Sequence, residues 1–323
     1  MPPIRQAGGD DRSPDSLLVS DNGSGQLAGI QRARVLAAMV EVATERGAPG
    51  ASVAHVVERA GVSRRTFYEQ FSGREDCFLA AFDQALSRIA ESVLPAYRQP
   101  GAWRERIRAA LVELLSFLDS DPVSGRLLVV EALGAGPGAL ERRGRVLALL
   151  IAAVDEGRAE TKKGSAPPPL MAEGVVGGAL SLVYARMVAR DPAPLTELTG
   201  PIMSMVVLPY LGPAAARREL SRPAPKRNGS LRRAAADPLR GLDMRLTYRT
   251  IRVLLAVGAH PGASNRQVAD ASGIRDPGQI SKLLSRLEGL GLVHNTSDPR
   301  AKGEPNAWTL TERGEDVRAA LSM

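Results

Sequence analysis

Two short stretches of this sequence carry side chains fit for contact with a polyanion. In the first, Arg64, Arg65, Thr66, Tyr68 and Gln70 alternate with Phe67 and Phe71. Two aromatic rings at helical spacing call for burial, so they anchor one face and leave the polar side chains on the other. Arginine presents a fixed fork of donors that matches a guanine edge or a phosphate. The Thr66 and Tyr68 hydroxyls suit phosphate or thymine-methyl contact. In the second stretch, Gln279, Ser281, Lys282, Ser285 and Arg286 interleave in the same way with Ile280, Leu283, Leu284 and Leu287. Nothing comparable points to catalysis. The histidines are His55, His260 and His294, none of them four residues from another or from the lone Cys77. No zinc-ligand spacing or nucleophile triad follows from them. The run from Gly134 to Gly138 lacks the Lys-Ser/Thr ending of a phosphate loop and reads as a helix break. The expectation is a binding protein without catalytic residues, metal or cofactor.

Each polar set needs a scaffold, and each has one in its flanks. Ser52 is an N-cap for a short helix burying Val53, Val56, Val57 and Ala60; Gly61 supplies the turn, Val62 plugs the corner and Ser63 caps the next helix. Near the other end Ser264 caps a helix burying Val268 and Ala269, and Gly273-Ile274 makes the corner before the helix that carries Lys282. Leu292-Val293 and Trp308 to Leu310 then read as short strands around a polar tip bearing Arg300 and Lys302, with Thr311 capping a final helix. Helix, tight turn, helix therefore occurs twice, with a hairpin only at the second site.

Between them the chain is helical in pattern. Ile30, Ala33, Ala37, Val40 and Thr44 share a face ahead of Gly47, and helices follow over 75–98, 103–118, from Pro122, 139–158, 170–189 and 195–211. Residues 1–28 lack periodicity and read as a disordered tail. Residues 213–245 read as a basic linker: from Arg217 to Arg249 ten basic residues face three acids, an excess that by itself matches the chain's net charge of +7. This charge either keeps the linker solvated or attracts phosphate. One cysteine forbids an intrachain disulfide, and no signal-peptide pattern or run of some 18 apolar residues is present, so a reducing, cytoplasmic setting without membrane is expected.

The string Val53, Val56, Val57, Ala60, Gly61, Val62, Ser63, Thr66, Phe67, Tyr68, Phe71, Arg74, Glu75, Leu79 closely resembles the DNA-binding domain of the tetracycline-repressor (TetR) family. The resemblance implies that Arg74, at the start of a fourth helix, touches phosphate, and that a helical ligand-binding and dimerisation domain follows over 75–212. Residues 280–293 with Trp308 to Gly314 are similar to the winged helix-turn-helix of the MarR class, without its long dimerising helices. The expected fold is all-α, with an N-terminal helix-turn-helix at 29–74, the helical domain, and a small α+β winged-helix domain at 246–323. The expected function is a ligand-responsive repressor that binds double-stranded operator DNA as a homodimer, paired through 170–190 and 195–211, where Gly174, Gly177 and Gly178 permit close approach. The DNA-facing set is Ser52, Ser63, Arg64, Arg65, Thr66, Tyr68, Gln70, Arg74, Gln279, Ser281, Lys282, Ser285, Arg286, Arg300 and Lys302. Trp103, Phe117, Tyr184 and Met187 are candidates to line an effector pocket for a small apolar or amphipathic molecule, though each reads first as plain core. A winged unit that binds protein instead of DNA remains the alternative.

Overall fold

The computed structural model describes residues 15–161, 166–189, 193–223, 248–297 and 305–321, of which 15–27 are described as helical backbone alone. Contacts sort the chain into two compact units: Val35–Arg240, and a second that unites the start of the chain, up to Arg34, with residues from Gly241 onward.

The Val35–Arg240 unit is helical throughout its described residues. Helix α1 (Asp15–Arg46) enters it and is followed by α2 (Val53–Ala60), α3 (Arg64–Tyr68), α4 (Arg74–Arg98), α5 (Trp103–Ser120) and α6 (Pro122–Val129). Then come α7 (Pro137–Asp155), α8 (Met171–Ala189), α9 (Thr199–Leu211) and α10 (Pro213–Ser221). The starts are written in the caps: Ser52 accepts from the His55 amide, Ser63 from that of Thr66, and Asp121 from that of Ser124, with Pro122 at the first position of α6. Two apolar cores result. One joins Val35, Met39, Val42, Val56, Phe67, Phe71, Phe78 and Phe82 to Leu127, Leu128, Ala132 and Ala139. The other joins Trp103, Leu115, Phe117, Val183, Ile202, Met203, Val207 and Tyr210. Ile89, part-way along α4, packs against both. The packing boundary thus lies within α4 and not at the expected division after Arg74, because the first turns of α4 bury Cys77, Phe78 and Ala81 in the core of the head.

The second unit contains α11 (Tyr248–Ala259), α12 (Asn265–Ser272), α13 (Pro277–Gly289), β1 (Val293–Asn295), β2 (Trp308–Leu310) and α14 (Glu312–Leu321). The strands are antiparallel with Val293 opposite Leu310 and Asn295 opposite Trp308. Ala263 adds a bridge to Trp308 on the other side of β2, a pairing that the spacing of apolar residues does not reveal. The Asn265 carboxamide oxygen accepts from the Trp308 indole N–H at 2.6 Å and from Asn306 at 3.2 Å, tying the start of α12 to the strand pair.

Two further boundaries differ from expectation. Helix α1 begins at Asp15 and not near Ile30, since extending a formed helix costs far less than nucleating one; residues 1–14 of the expected tail lie outside the described residues. The first part of the expected linker folds as α10, because Ala215, Ala216 and Glu219 are buried; 224–247 lie outside the described residues. Helix α8 has the length and mean hydropathy of a membrane span although Glu173 and Arg186 interrupt it, yet it buries Val175, Val176 and Val183 inside the helical unit.

Helix α10 is held by charge. Glu219 Oε2 accepts from Arg108 Nη1 at 2.6 Å, with side chains 3% and 8% exposed, and Arg104 lies 3.5 Å from the other oxygen. Removing one partner strands a buried charge. Glu219→Ala is therefore expected to lower stability by about 3–5 kcal/mol, read by chemical denaturation. A second test uses pH. The Tyr210 hydroxyl donates to Asp155 at 3.2 Å, and burial, then this carboxylate, push its pKa up to about 12. The unfolded chain loses that proton near pH 10, so stability is full below about pH 10 and falls as pH rises towards 12. Tyr210→Phe should remove that part of the alkaline slope and leave stability at pH 8 within about 1.5 kcal/mol of the parent.

Candidate nucleic-acid interface

Helix α3 is placed by its two neighbours in sequence and anchored by its own aromatic ring. Gly61 closes α2 at φ 63°, a conformation that costs glycine little, and the Val62 amide donates back to the Val57 carbonyl at 3.2 Å. This reverses the chain in a single turn. Phe67 is fully buried and meets Phe71 at 5.5 Å between ring centroids. With the ring side fixed, Ser63, Arg64 and Arg65 lie exposed on the opposite side, and Tyr68 is 57% exposed with its ring edge-on to Phe67 at 5.3 Å. A large aromatic left in water at the last position of a short helix is the feature that burial alone does not explain.

The remaining side chains of the first set divide. Thr66 is half-buried and its hydroxyl lies 2.9 Å from that of Ser63, so both hydroxyls are engaged in the cap. Ser52 is half-buried and serves α2 as its cap. Gln70 does not face fully outward as expected: it is half-buried with its carboxamide oxygen enclosed, because α3 stops at Tyr68 and the following turn draws the chain inward. Arg74 Nη1 donates to the Ala48 carbonyl at 2.6 Å, so this guanidinium has a structural partner at the end of α1. Arg65 pairs with Glu69 at 2.9 Å, one turn on, both exposed. The charge pair that sequence reasoning missed is Arg59 with Glu41 and Glu45 at 2.9 and 2.6 Å. It staples α2 to α1, raises the Arg59 pKa through its hydrogen bonds to Glu45 and Glu41, and holds the Glu45 carboxyl below its ordinary range.

The second set is built on the same turn. Gly273 closes α12 at φ 64°, and the Ile274 amide donates to Ala269 at 3.0 Å. Ser264 and Gln267 form a reciprocal capping box, and Asp276 caps α13 by accepting from Gly278 and Gln279. Ile280, Leu284 and Leu287 are buried; Ser281, Lys282, Ser285 and Arg286 are exposed, and Gln279 is half-buried. Arg300 and Lys302 lie outside the described residues.

The four candidate effector residues do not converge. Trp103 is core: its indole N–H donates to Ala153 at 2.9 Å, its ring meets Tyr210 at 5.1 Å, and a Cβ at Gly157 would fall 2.6 Å from it. Phe117 is buried under the Arg88 guanidinium, Met187 edges the same core, and Tyr184 is exposed on α8. Length and pattern identify large side chains in a helix but not which of its faces another helix covers.

The head is joined to the helices behind it at one peptide. The Ala48 amide donates to Glu131 Oε2 at 3.1 Å while its carbonyl accepts from Arg74, and Glu131 Oε1 pairs with Arg126 at 3.2 Å. Glu131→Ala should cost about 1–3 kcal/mol in denaturation, since the buried Ala48 amide loses its acceptor and Arg126 its carboxylate partner.

Residues 35–81 match the family of bacterial regulatory proteins described as tetR, a span that runs from α1 into α4. The HTH-type transcriptional activator FasR of Mycolicibacterium smegmatis is 32% identical over 124 residues, 38% of this chain and 52% of that protein, so the chain spans about half the length of this curated relative. The fatty acid degradation regulator FadR from Bacillus halodurans is 19% identical, with a TM-score of 0.48, over 54% of this chain and 96% of that one. The transcriptional regulator FadR from Bacillus subtilis, solved in complex with stearoyl-CoA, is 17% identical, with a TM-score of 0.46, over 56% of this chain and 98% of that one.

Proposed function

We propose that this chain, whose head is a TetR-family helix-turn-helix, is a transcription regulator that reads double-stranded DNA with α3. The observation that carries the reading is the outward set Ser63, Arg64, Arg65 and Tyr68 on a helix whose opposite side is pinned by Phe67. A helix so mounted enters the major groove with its first residues at base edges. Arg64 and Arg65 supply the donors for guanine or phosphate, and Tyr68 reaches phosphate or a thymine methyl. Arg65 exchanges Glu69 for the DNA, so the pair restrains the side chain without consuming much energy, as exposed i, i+4 pairs do.

The protein acts as a homodimer in this reading. Helix α8 turns Gly174, Gly177, Ser181, Tyr184, Ala185 and Val188 to solvent, and Leu208 of α9 is likewise exposed. Small residues with apolar neighbours on adjacent helices suit a close helix–helix interface, and two-fold symmetry calls for a palindromic operator with half-sites about one helical turn apart. The sense of regulation, expected above as repression, meets a relative named as an activator; operator position relative to the promoter sets it. A small apolar or amphipathic effector would bind among the helices behind the head. Helix α5 favours that region: none of its residues is exposed, and Glu113 is half-buried there, its carboxyl pushed up by burial.

The second unit is a winged helix-turn-helix and a second reading head in this proposal. In its favour are the order helix, bridge, helix, helix, strand, strand, helix and the exposed Lys282 and Arg286 on α13. Arg65→Ala and Tyr68→Ala are each expected to weaken operator binding by about 1–3 kcal/mol at fixed salt; Arg65→Ala should leave stability within about 0.5 kcal/mol, and Tyr68→Ala should lower it by about 0.5–1.5 kcal/mol through loss of the ring pair with Phe67. Unchanged affinity in both variants, measured by fluorescence anisotropy, would remove α3 as the reading helix. Footprints of the full chain and of a chain ending at Pro223 should differ in length and in salt dependence; identical ones would leave the second unit as a protein-binding adaptor.

A further inference from the structure

The second unit is assembled from both ends of the chain, and the contribution from the N-terminal end is a helix face with no role in the head. The core of the head begins at Val35. Upstream of it, Ile30 is 2% exposed and Arg34 9% exposed, although Ala28, Gly29 and Arg32 beside them lie in water. Positions 30 and 34 are one turn apart and share a face. Burial also draws the Arg34 pKa below the ordinary guanidinium range. Contacts group this stretch with the residues from Gly241 onward and not with the head.

Helix α11 shows the matching need. Thr250, Ile251, Val253, Leu254, Ala256 and Val257 are all buried. At 100° per residue they occupy more than half of the helix circumference, wider than the stripe that one packed layer covers. Helices α12, α13 and α14 and strand β2 take part of that circumference.

We propose that the stretch of α1 ahead of Val35, through Ile30 and Arg34, is the docking helix of the second unit, which is therefore a discontinuous domain completed by the N-terminal end of the chain. This does not depend on whether the unit reads DNA.

The test is hydrogen exchange on the full chain carrying Ile30→Asp, with Ile30→Ala as the milder variant should the first not fold, and Gly29→Ala as the exposed control, since a Cβ there meets nothing within 4 Å. Peptides covering 249–259 are expected to exchange at least tenfold faster in an Ile30 variant, with those covering 53–60 and 77–85 unchanged and Gly29→Ala like the parent throughout. Unchanged exchange over 249–259 in the Ile30 variants would overturn the proposal. So would a loss of protection over 53–60 and 77–85 as large as that over 249–259, since Ile30 would then belong to the head.

Discussion

The peptide of Ala48 is held from two directions, and much of the Val35–Arg240 unit depends on that grip. Its amide goes to Glu131 and its carbonyl to Arg74. The end of α1, the start of α4 and the segment after α6 therefore meet at two backbone atoms. Beneath them the apolar core is continuous, running from Val35 and Phe67 to Leu127 and Ala139. Close-packed cores transmit displacement because no void absorbs it. A head that shares its core with α6 and α7 has no independent hinge at Arg74. Any change in those helices is felt at the base of α2 and α3.

The same constraint explains the division of labour among the arginines. Arg74 and Arg59 are committed to holding helix α1, one through a carbonyl and the other through Glu41 and Glu45. Arg108 is committed to Glu219 and Arg126 to Glu131. Arg64 and Arg65 are exposed, and the single bond of Arg65 is to an exposed neighbour on its own turn. Desolvating a guanidinium is tolerable only where a carboxylate or carbonyl meets it. Arg64 and Arg65 are among those the fold leaves hydrated.

Both tight turns from one helix to the next were legible in the sequence, for a local reason. A glycine at a left-handed position, a branched residue after it and a hydroxyl or carboxyl cap ahead of the next helix act over a few residues. The structure repeats this at Gly61-Val62 and at Gly273-Ile274. The exposed positions followed from helical period, which is why Arg64, Arg65, Lys282 and Arg286 lie where spacing put them. Gln70 departed because helix α3 ends at Tyr68, and an end set by the following turn shifts the period.

Other features needed partners far along the chain. Whether Trp103 lines a cavity or fills a core depends on Gly157 and Tyr210. Whether residues after Gly212 form a linker or a helix depends on Arg108 reaching Glu219 from α5. The sequence by itself determined the helical class, the two turns, the caps and the outward polar sets, because each rests on residues within a turn or two of one another. Only the tertiary structure decided which arginines are spent on the scaffold, where one core ends and the next begins, and which helix faces are covered. Burial is a property of what arrives from elsewhere in the chain, and local pattern does not encode it.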